Sequence, residues 1–212
     1  MWLRAGSGSN LPNVRAALDL RMFIMLRRII PALTLLALTG AANAQALNLT
    51  QPSYTHVSAG VGENSRGQRA YMIDVEHEFG HKYFVTGHYE NISQSSNRPR
   101  QSVIDLGVGR YFNVYDRTTL DVSTSVGNFV EGSNVFSGSG NTFYTLNGGV
   151  RQRHDALEYR LGYRYIDMSG FDSNHGVVVS AHFYFTPQTA LGVYFSDVYA
   201  NSNWSFGLRV LY

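Results

Sequence analysis

The chain has 212 residues, 44% hydrophobic and 13% aromatic, with 21 Gly, no Cys and only 15% charged residues. That composition excludes a disordered segment, a collagen and a disulfide-stapled scaffold. The formal charge of +2 misleads, because five of the seventeen Lys and Arg (Arg4, Arg15, Arg21, Arg27, Arg28) precede residue 45; beyond it 12 basic residues face 14 acidic ones, a net −2 that argues against a nucleic-acid partner.

Residues 1–24 carry Trp2, Asp19 and a Gly/Ser stretch that no export signal needs, and read as a non-native N-terminal extension, with the true start at Met25 or Met22. From Met25, Arg27 and Arg28 precede an apolar run from Ile29 to Leu38 and then Thr39-Gly-Ala-Ala-Asn-Ala44. A basic patch, an apolar core and small residues two apart form a secretory signal cleaved before Gln45. A transmembrane helix needs about 20 apolar residues, and this run is roughly half that and contains Pro31. The expected division is therefore 1–24 extension, 25–44 signal peptide and 45–212 mature domain, 168 residues. An exported chain without cysteine takes its stability from burial or from a membrane.

Past Gln45 the apolar residues recur with period two. The runs are Thr55, Val57, Ala59, Val61; Tyr71, Ile73, Val75; Tyr83, Val85, Tyr89; Ile104, Leu106, Val108; and Leu120, Val122, Thr124, Val126. They continue as Tyr144, Leu146, Val150; Leu157, Tyr159, Leu161, Tyr163, Tyr165; Val177, Val179, Ala181, Phe183, Phe185; Leu191, Val193, Phe195; and Trp204, Phe206, Leu208, Val210, Tyr212. Period two predicts strands, ten of them, about 9 to 13 residues each. The connections alternate. Gly80-His81, Asn113 to Asp116, Arg153 to Asp155 and Thr186-Pro187 are tight, whereas Glu63 to Gly67, Ile92 to Arg100, Asn128 to Gly140, Asp167 to Asn174 and Val198 to Asn203 are longer and rich in Ser, Asn and Gly.

An even number of ~10-residue strands, short turns on one side and longer loops on the other, and an apolar face edged with aromatics predict an all-β fold: a ten-stranded antiparallel up-and-down transmembrane barrel. Eight strands remain if two weak segments are overcounted. A soluble secreted barrel would turn its apolar face inward and solvate the other with many Lys and Glu. Here the second face holds Gly60, Gly62, Gly107, Gly109, Gly149, Gly162, Gly192 and Gly207 with isolated charges, which suits a crowded lumen.

On these residues the mature region resembles the small outer-membrane barrels of Gram-negative bacteria, of the OmpA membrane-domain and Ail/OmpX type. The ten-strand count and the segment Asp105-Leu-Gly-Val-Gly-Arg-Tyr-Phe112 bring it closer to the quorum-factor-like barrel family of xanthomonads. The most specific shared element is the terminal alternation Trp204, Phe206, Leu208, Val210, Tyr212, although such proteins end more often in Phe. The resemblance implies an outer-membrane location, lipid and lipopolysaccharide as surroundings, and reading of that terminal segment by the barrel-assembly machinery. It implies no catalytic residues.

His77-Glu-Phe-Gly-His81 matches H-E-x-x-H, in which two His one helical turn apart bind zinc and the Glu activates water. On a strand, His77 and Glu78 face opposite sides and Gly80 is placed for a turn, so the zinc geometry fails; no metal and no cofactor are expected. The extended metalloprotease form would need Gly at 84 and His at 87, where Phe84 and Gly87 stand. The lipid A deacylase type resembles a barrel with an H-x-S-N element, which is absent; Ser173-Asn-His175 has the reverse order. Omptin-like proteases carry Asp and His on long strand extensions for which 168 residues are too few.

Asp74, Glu76 and Glu78 share one face of the second strand. A cation site is one reading. Pairing is the other: Glu90, Asp105 and Asp121 have lumen parity on strands three to five, and Arg151, Arg160, Arg164 and Arg209 have it on strands six, seven and ten. Buried charges are tolerated when paired and hydrogen-bonded. His56, His88 and His182 share the lumen parity, while His77 and Arg110 fall near the short-turn rim. The functional expectation is a non-enzymatic outer-membrane barrel with a closed, ion-paired lumen, serving envelope integrity or loop-mediated contact. A narrow pore comes second and an outer-membrane enzyme third. No loop shows a motif that names its ligand.

Overall fold

The computed structural model describes residues 51–95, 98–132, 140–198 and 201–212. The expected extension and signal peptide lie outside these residues. Ten strands follow in chain order: β1 (His56–Asn64), β2 (Arg69–Phe79), β3 (Tyr83–Ile92), β4 (Gln101–Tyr115), β5 (Thr118–Glu131), β6 (Asn141–His154), β7 (Leu157–Met168), β8 (Asn174–Tyr184), β9 (Thr189–Val198) and β10 (Asn201–Leu211). Each pairs antiparallel with its sequence neighbours, and β10 closes on β1 from His56↔Leu211 to Asn64↔Asn203. The chain is thus a closed ten-stranded antiparallel up-and-down β-barrel, and the eight-strand alternative is set aside. Closure leaves no unpaired strand edge.

The strands span 9 residues in β1 to 15 in β4, longer at the top end than the periodicity predicts. Two boundaries differ in ways that matter. Val198 to Asn203 is not a long loop, because Asn201↔Val198 and Ser202↔Asp197 are ladder pairs that leave only positions 199 and 200 between strands. Arg153 and His154 belong to β6, paired with Glu158 and Leu157, so that turn is only Asp155-Ala156. Asp155 takes a left-handed φ of 52°, which Asp tolerates, and this lets the ladder run on to the turn. Among the described residues no helix is long and apolar enough to cross a membrane, a statement that does not concern strands.

Strand alternation sends every second side chain outward. Outside stand Val57, Val61, Ile73, Leu106, Val108, Val122, Leu146, Leu161 and Leu208, each more than a third exposed, with Tyr71, Tyr83, Phe112, Tyr144, Tyr163, Phe206 and Tyr212. Inside stand Arg151 and Arg153 at 2% and 0% exposure, with Glu158, Asp121 and Asp105 at 1%, 1% and 4%. The barrel is apolar outside and charged within, the reverse of a soluble core.

Both ends of the lumen are filled by side chains. At the short-turn end Tyr54, from the segment ahead of β1, enters the barrel and stacks on Tyr111 of β4 with ring centroids 4.1 Å apart and planes 3° apart; Phe84 of β3 lies 4.9 Å away. A Cβ at Gly109 would stand 2.3 Å from the Phe84 ring, so the aromatic group needs glycine there. At the long-loop end Val103, Phe143, Ile166 and Val198 form a buried apolar cluster backed by Phe129, Met168 and Val178. Val103 is on β4 and Val198 on β9, five strands apart round a ring of ten, so the cluster crosses the lumen.

Candidate functional site: the charged lumen

Between the two plugs lies a cavity of about 140 Å³, walled by charged side chains of β2, β3, β4, β6, β7 and β10. Arg151 donates from Nη1 and Nη2 to the two oxygens of Glu76 at 2.9 and 3.1 Å, and from Nη1 to the Ser53 carbonyl at 2.8 Å. Its guanidinium carbon sits 4.2 Å from the centre of the Tyr54 ring, and its Nε is 3.9 Å from Asp121. Arg160 grips Asp121 with Nη2 at 2.7 Å and Nε at 3.3 Å. The Tyr54 hydroxyl shares a hydrogen bond with Thr119 at 2.7 Å and reaches Asp121 at 3.4 Å. One knot therefore ties β2, β5, β6 and β7 to the segment ahead of β1.

A second knot was not among the residues singled out from the sequence. Glu158 of β7 accepts from Arg209 at 2.8 Å, from Arg153 at 3.5 Å and from the Ser53 backbone amide at 3.3 Å. Arg209 also donates to Ser58 at 3.2 Å, and Arg153 lies 3.8 Å over the Tyr184 ring. The signal was available: Arg153 has the parity of Arg151, and Glu158 that of Arg160. Assigning residues 153–155 to the turn hid Arg153, whereas Glu158 already stood within the seventh alternating run.

The remaining sequence-derived residues divide. Glu78 accepts from the Tyr111 hydroxyl at 2.6 Å, and Asp74 bonds to His88 Nδ1 at 2.6 Å. Glu90 accepts from Asn203 Nδ2 at 2.9 Å. Arg164 donates to Asn147 at 2.6 Å and meets no carboxylate within 4 Å among the described residues, so its expected acidic partner is replaced by an amide. Asp105 Oδ2 receives no hydrogen bond from the protein. His56 and His182 are buried at 1% exposure.

Outside the lumen, Trp204, Phe206, Leu208 and Val210 share the outer face of β10, and Tyr212, one position past it, stacks on His77 of β2 at 5.9 Å. The Arg110 guanidinium lies 5.0 Å from both the Tyr83 and Phe112 rings on the outer surface. The H-E-x-x-H residues end a strand and enter a turn in which Gly80, His81 and Lys82 have φ of 40°, 46° and 71°, so His77 and His81 share no helical face. No group of three or more His, Cys, Asp or Glu converges to hold a metal among the described residues.

No family model matches the chain, and no curated protein matches it. Solved structures do. The KdgM porin aligns over 74% of this chain and 99% of its own at 9% identity and a TM-score of 0.44. The outer membrane protein Ail of Yersinia pestis, in a phospholipid nanodisc, aligns over 74% and 97% at 13% identity and 0.40. A structure described as de novo design of transmembrane β-barrels aligns over 76% and 98% at 12% identity and 0.40.

Proposed function

We propose that the chain is an integral outer-membrane barrel with a closed, ion-paired lumen, non-enzymatic, serving envelope integrity or contact through its loops. The observation that carries this is the inversion of polarity. A wall of exposed Val, Leu, Ile, Tyr and Phe surrounds buried Arg151–Glu76, Arg160–Asp121 and Arg209–Glu158 pairs. Water would make that exterior an aggregation surface, whereas hydrocarbon solvates it. A tilted strand of about 9–11 residues crosses a bilayer, and every strand here meets that length. Exposed Tyr71, Tyr83, Tyr115 and Tyr159 near the strand ends suit the headgroup interfaces, and the same setting supplies lipid and lipopolysaccharide contacts.

The terminal face from Trp204 to Tyr212 supports reading by the barrel-assembly machinery, and the Asp105–Phe112 segment, with Asp105, Gly107, Gly109 and Tyr111 inward, supports placing the chain near the quorum-factor-like barrels. Export through residues 25–44 belongs to the same proposal. The central cavity favours a narrow pore as the second reading. Refolded protein in a planar bilayer decides: absence of current steps fits the closed barrel, and stable steps replace it with the pore. Failure to insert into vesicles at all, read by protease sensitivity of the strands, would remove the membrane assignment.

A further inference from the structure

The lumen charges do not balance. Among the described residues seven carboxylates face inward (Asp74, Glu76, Glu78, Glu90, Asp105, Asp121, Glu158) against five guanidiniums (Arg151, Arg153, Arg160, Arg164, Arg209). Each arginine already has a partner other than Asp74, Glu90 or Asp105 within hydrogen-bond or ion-pair distance. Arg151 holds Glu76, Arg160 holds Asp121, Arg153 and Arg209 share Glu158, and Arg164 bonds to Asn147. Four acids are left over: Glu78 accepts from the Tyr111 hydroxyl, while Asp74, Glu90 and Asp105 stand on adjacent strands β2, β3 and β4, where His88, 2.6 Å from Asp74 and 4.0 Å from Glu90, is the one ion-pair partner within 4 Å among the described residues.

Two acceptors on this side receive nothing from the protein: Asp105 Oδ2 and Asn203 Oδ1, in side chains 4% and 9% exposed. Asn203 spends its amide nitrogen on Glu90, which leaves its oxygen turned from that bond. Asp105, Asn203 and Glu90 all line the 140 Å³ cavity. Buried acceptors of this kind are rarely left without donors, and a carboxylate in a poorly hydrated interior requires a positive partner.

We propose that the lumen cavity is a binding site for a small monovalent cation of the ammonium type, held on its β3–β4–β10 side by Asp105, Glu90 and Asn203. Orphaned oxygens ask for N–H donors and for charge, and an ammonium ion supplies both. A chelated divalent metal fits less well, because no three acidic or imidazole groups converge on one point among the described residues. Size sets a second limit: at about 30 Å³ of liquid volume per water, the cavity holds a few water-sized groups and excludes a bulky quaternary ion.

The site rests on the lumen being a closed chamber, which bilayer conductance tests separately. The site itself is tested with the full chain refolded into phosphatidylcholine vesicles and unfolded in urea at constant ionic strength. The salts are ammonium, methylammonium, tetraethylammonium and N-methylglucamine chloride. At 100 mM and a dissociation constant of about 10 mM, the folding equilibrium shifts by about tenfold. That shift is expected in ammonium and methylammonium relative to N-methylglucamine, is absent in tetraethylammonium, and is lost in Asp105→Asn. Equal stability in all four salts would mean water alone satisfies the acceptors and would overturn the proposal. Stabilisation by tetraethylammonium equal to that by ammonium would place binding on the outer surface, with the same effect. The size series uses the unmodified chain, so it decides even where Asp105→Asn does not fold.

Discussion

Arg151 of β6 clasps both oxygens of Glu76 of β2, at 2.9 and 3.1 Å, from four strands away around the barrel. The pair braces opposite parts of the wall. Removing one partner of a buried pair typically costs about 3–5 kcal/mol, whereas an exposed pair contributes about 0–1 kcal/mol. Arg151→Met is expected to lower stability by an amount in the first range in urea unfolding from vesicles. Arg117→Met, which breaks the exposed Arg117–Asp155 contact on the turn rim, is expected to fall in the second.

Glu158 serves two arginines and a backbone amide, so its loss strands more than one donor. Glu158→Gln is expected to cost more than Arg209→Met. In the double variant the two losses are expected to be strongly non-additive, with a coupling of about 1–3 kcal/mol in the same unfolding assay. Simple addition would show that the contact carries no shared energy.

The lumen plugs predict a conductance pattern. Tyr54→Ala removes the ring stacked on Tyr111 at the turn end, and Phe143→Ala opens the apolar cluster at the loop end. Either change alone is expected to leave a planar bilayer silent, because the other plug still closes the path; the double variant is expected to give discrete steps. Tyr54→Phe, which keeps the stack and loses only the bonds to Thr119 and Asp121, is expected to cost about 1 kcal/mol and to remain silent.

Deletion of Tyr212 separates assembly from stability. The residue lies one position past β10, is 63% exposed, and touches His77 by ring stacking and a long 3.5 Å hydroxyl contact to Nδ1, so no ladder pair is lost. Refolding in vesicles is expected to proceed with little change in the urea midpoint, while membrane levels in cells fall. Equal levels in cells would remove the role assigned to the terminal aromatic.

The wall was legible because strand period and side-chain facing are the same fact: once Val57, Ala59 and Val61 are outward, His56, Ser58 and Gly60 can only be inward. The partners within the lumen were less legible. Arg160 meets Asp121 and Arg151 meets Glu76, but nothing in the alternation says that Arg164 reaches an amide or that Asp105 lies apart from every guanidinium, since pairing depends on barrel height and side-chain reach. Tyr54 escaped because it precedes the first alternating run. Val103, Phe143, Ile166 and Val198 escaped because they have the lumen parity yet are apolar, and only closure of the ring shows that they meet.

The segment from Ser53 to Thr55 bears on the order of events. Its carbonyl and amide at Ser53 are held by Arg151 and Glu158 of the neighbouring strands β6 and β7, and the Thr55 hydroxyl receives the Glu78 amide of β2, four and five strands round the ring from them. A hollow cylinder sewn shut along β1 and β10 would admit this piece of chain only through its narrow turn-side mouth, against Arg153 and Tyr184. The simpler sequence is for residues 53–55 to lie down on the β5–β7 surface while the sheet is still an open trough, so that stitching the seam seals them in.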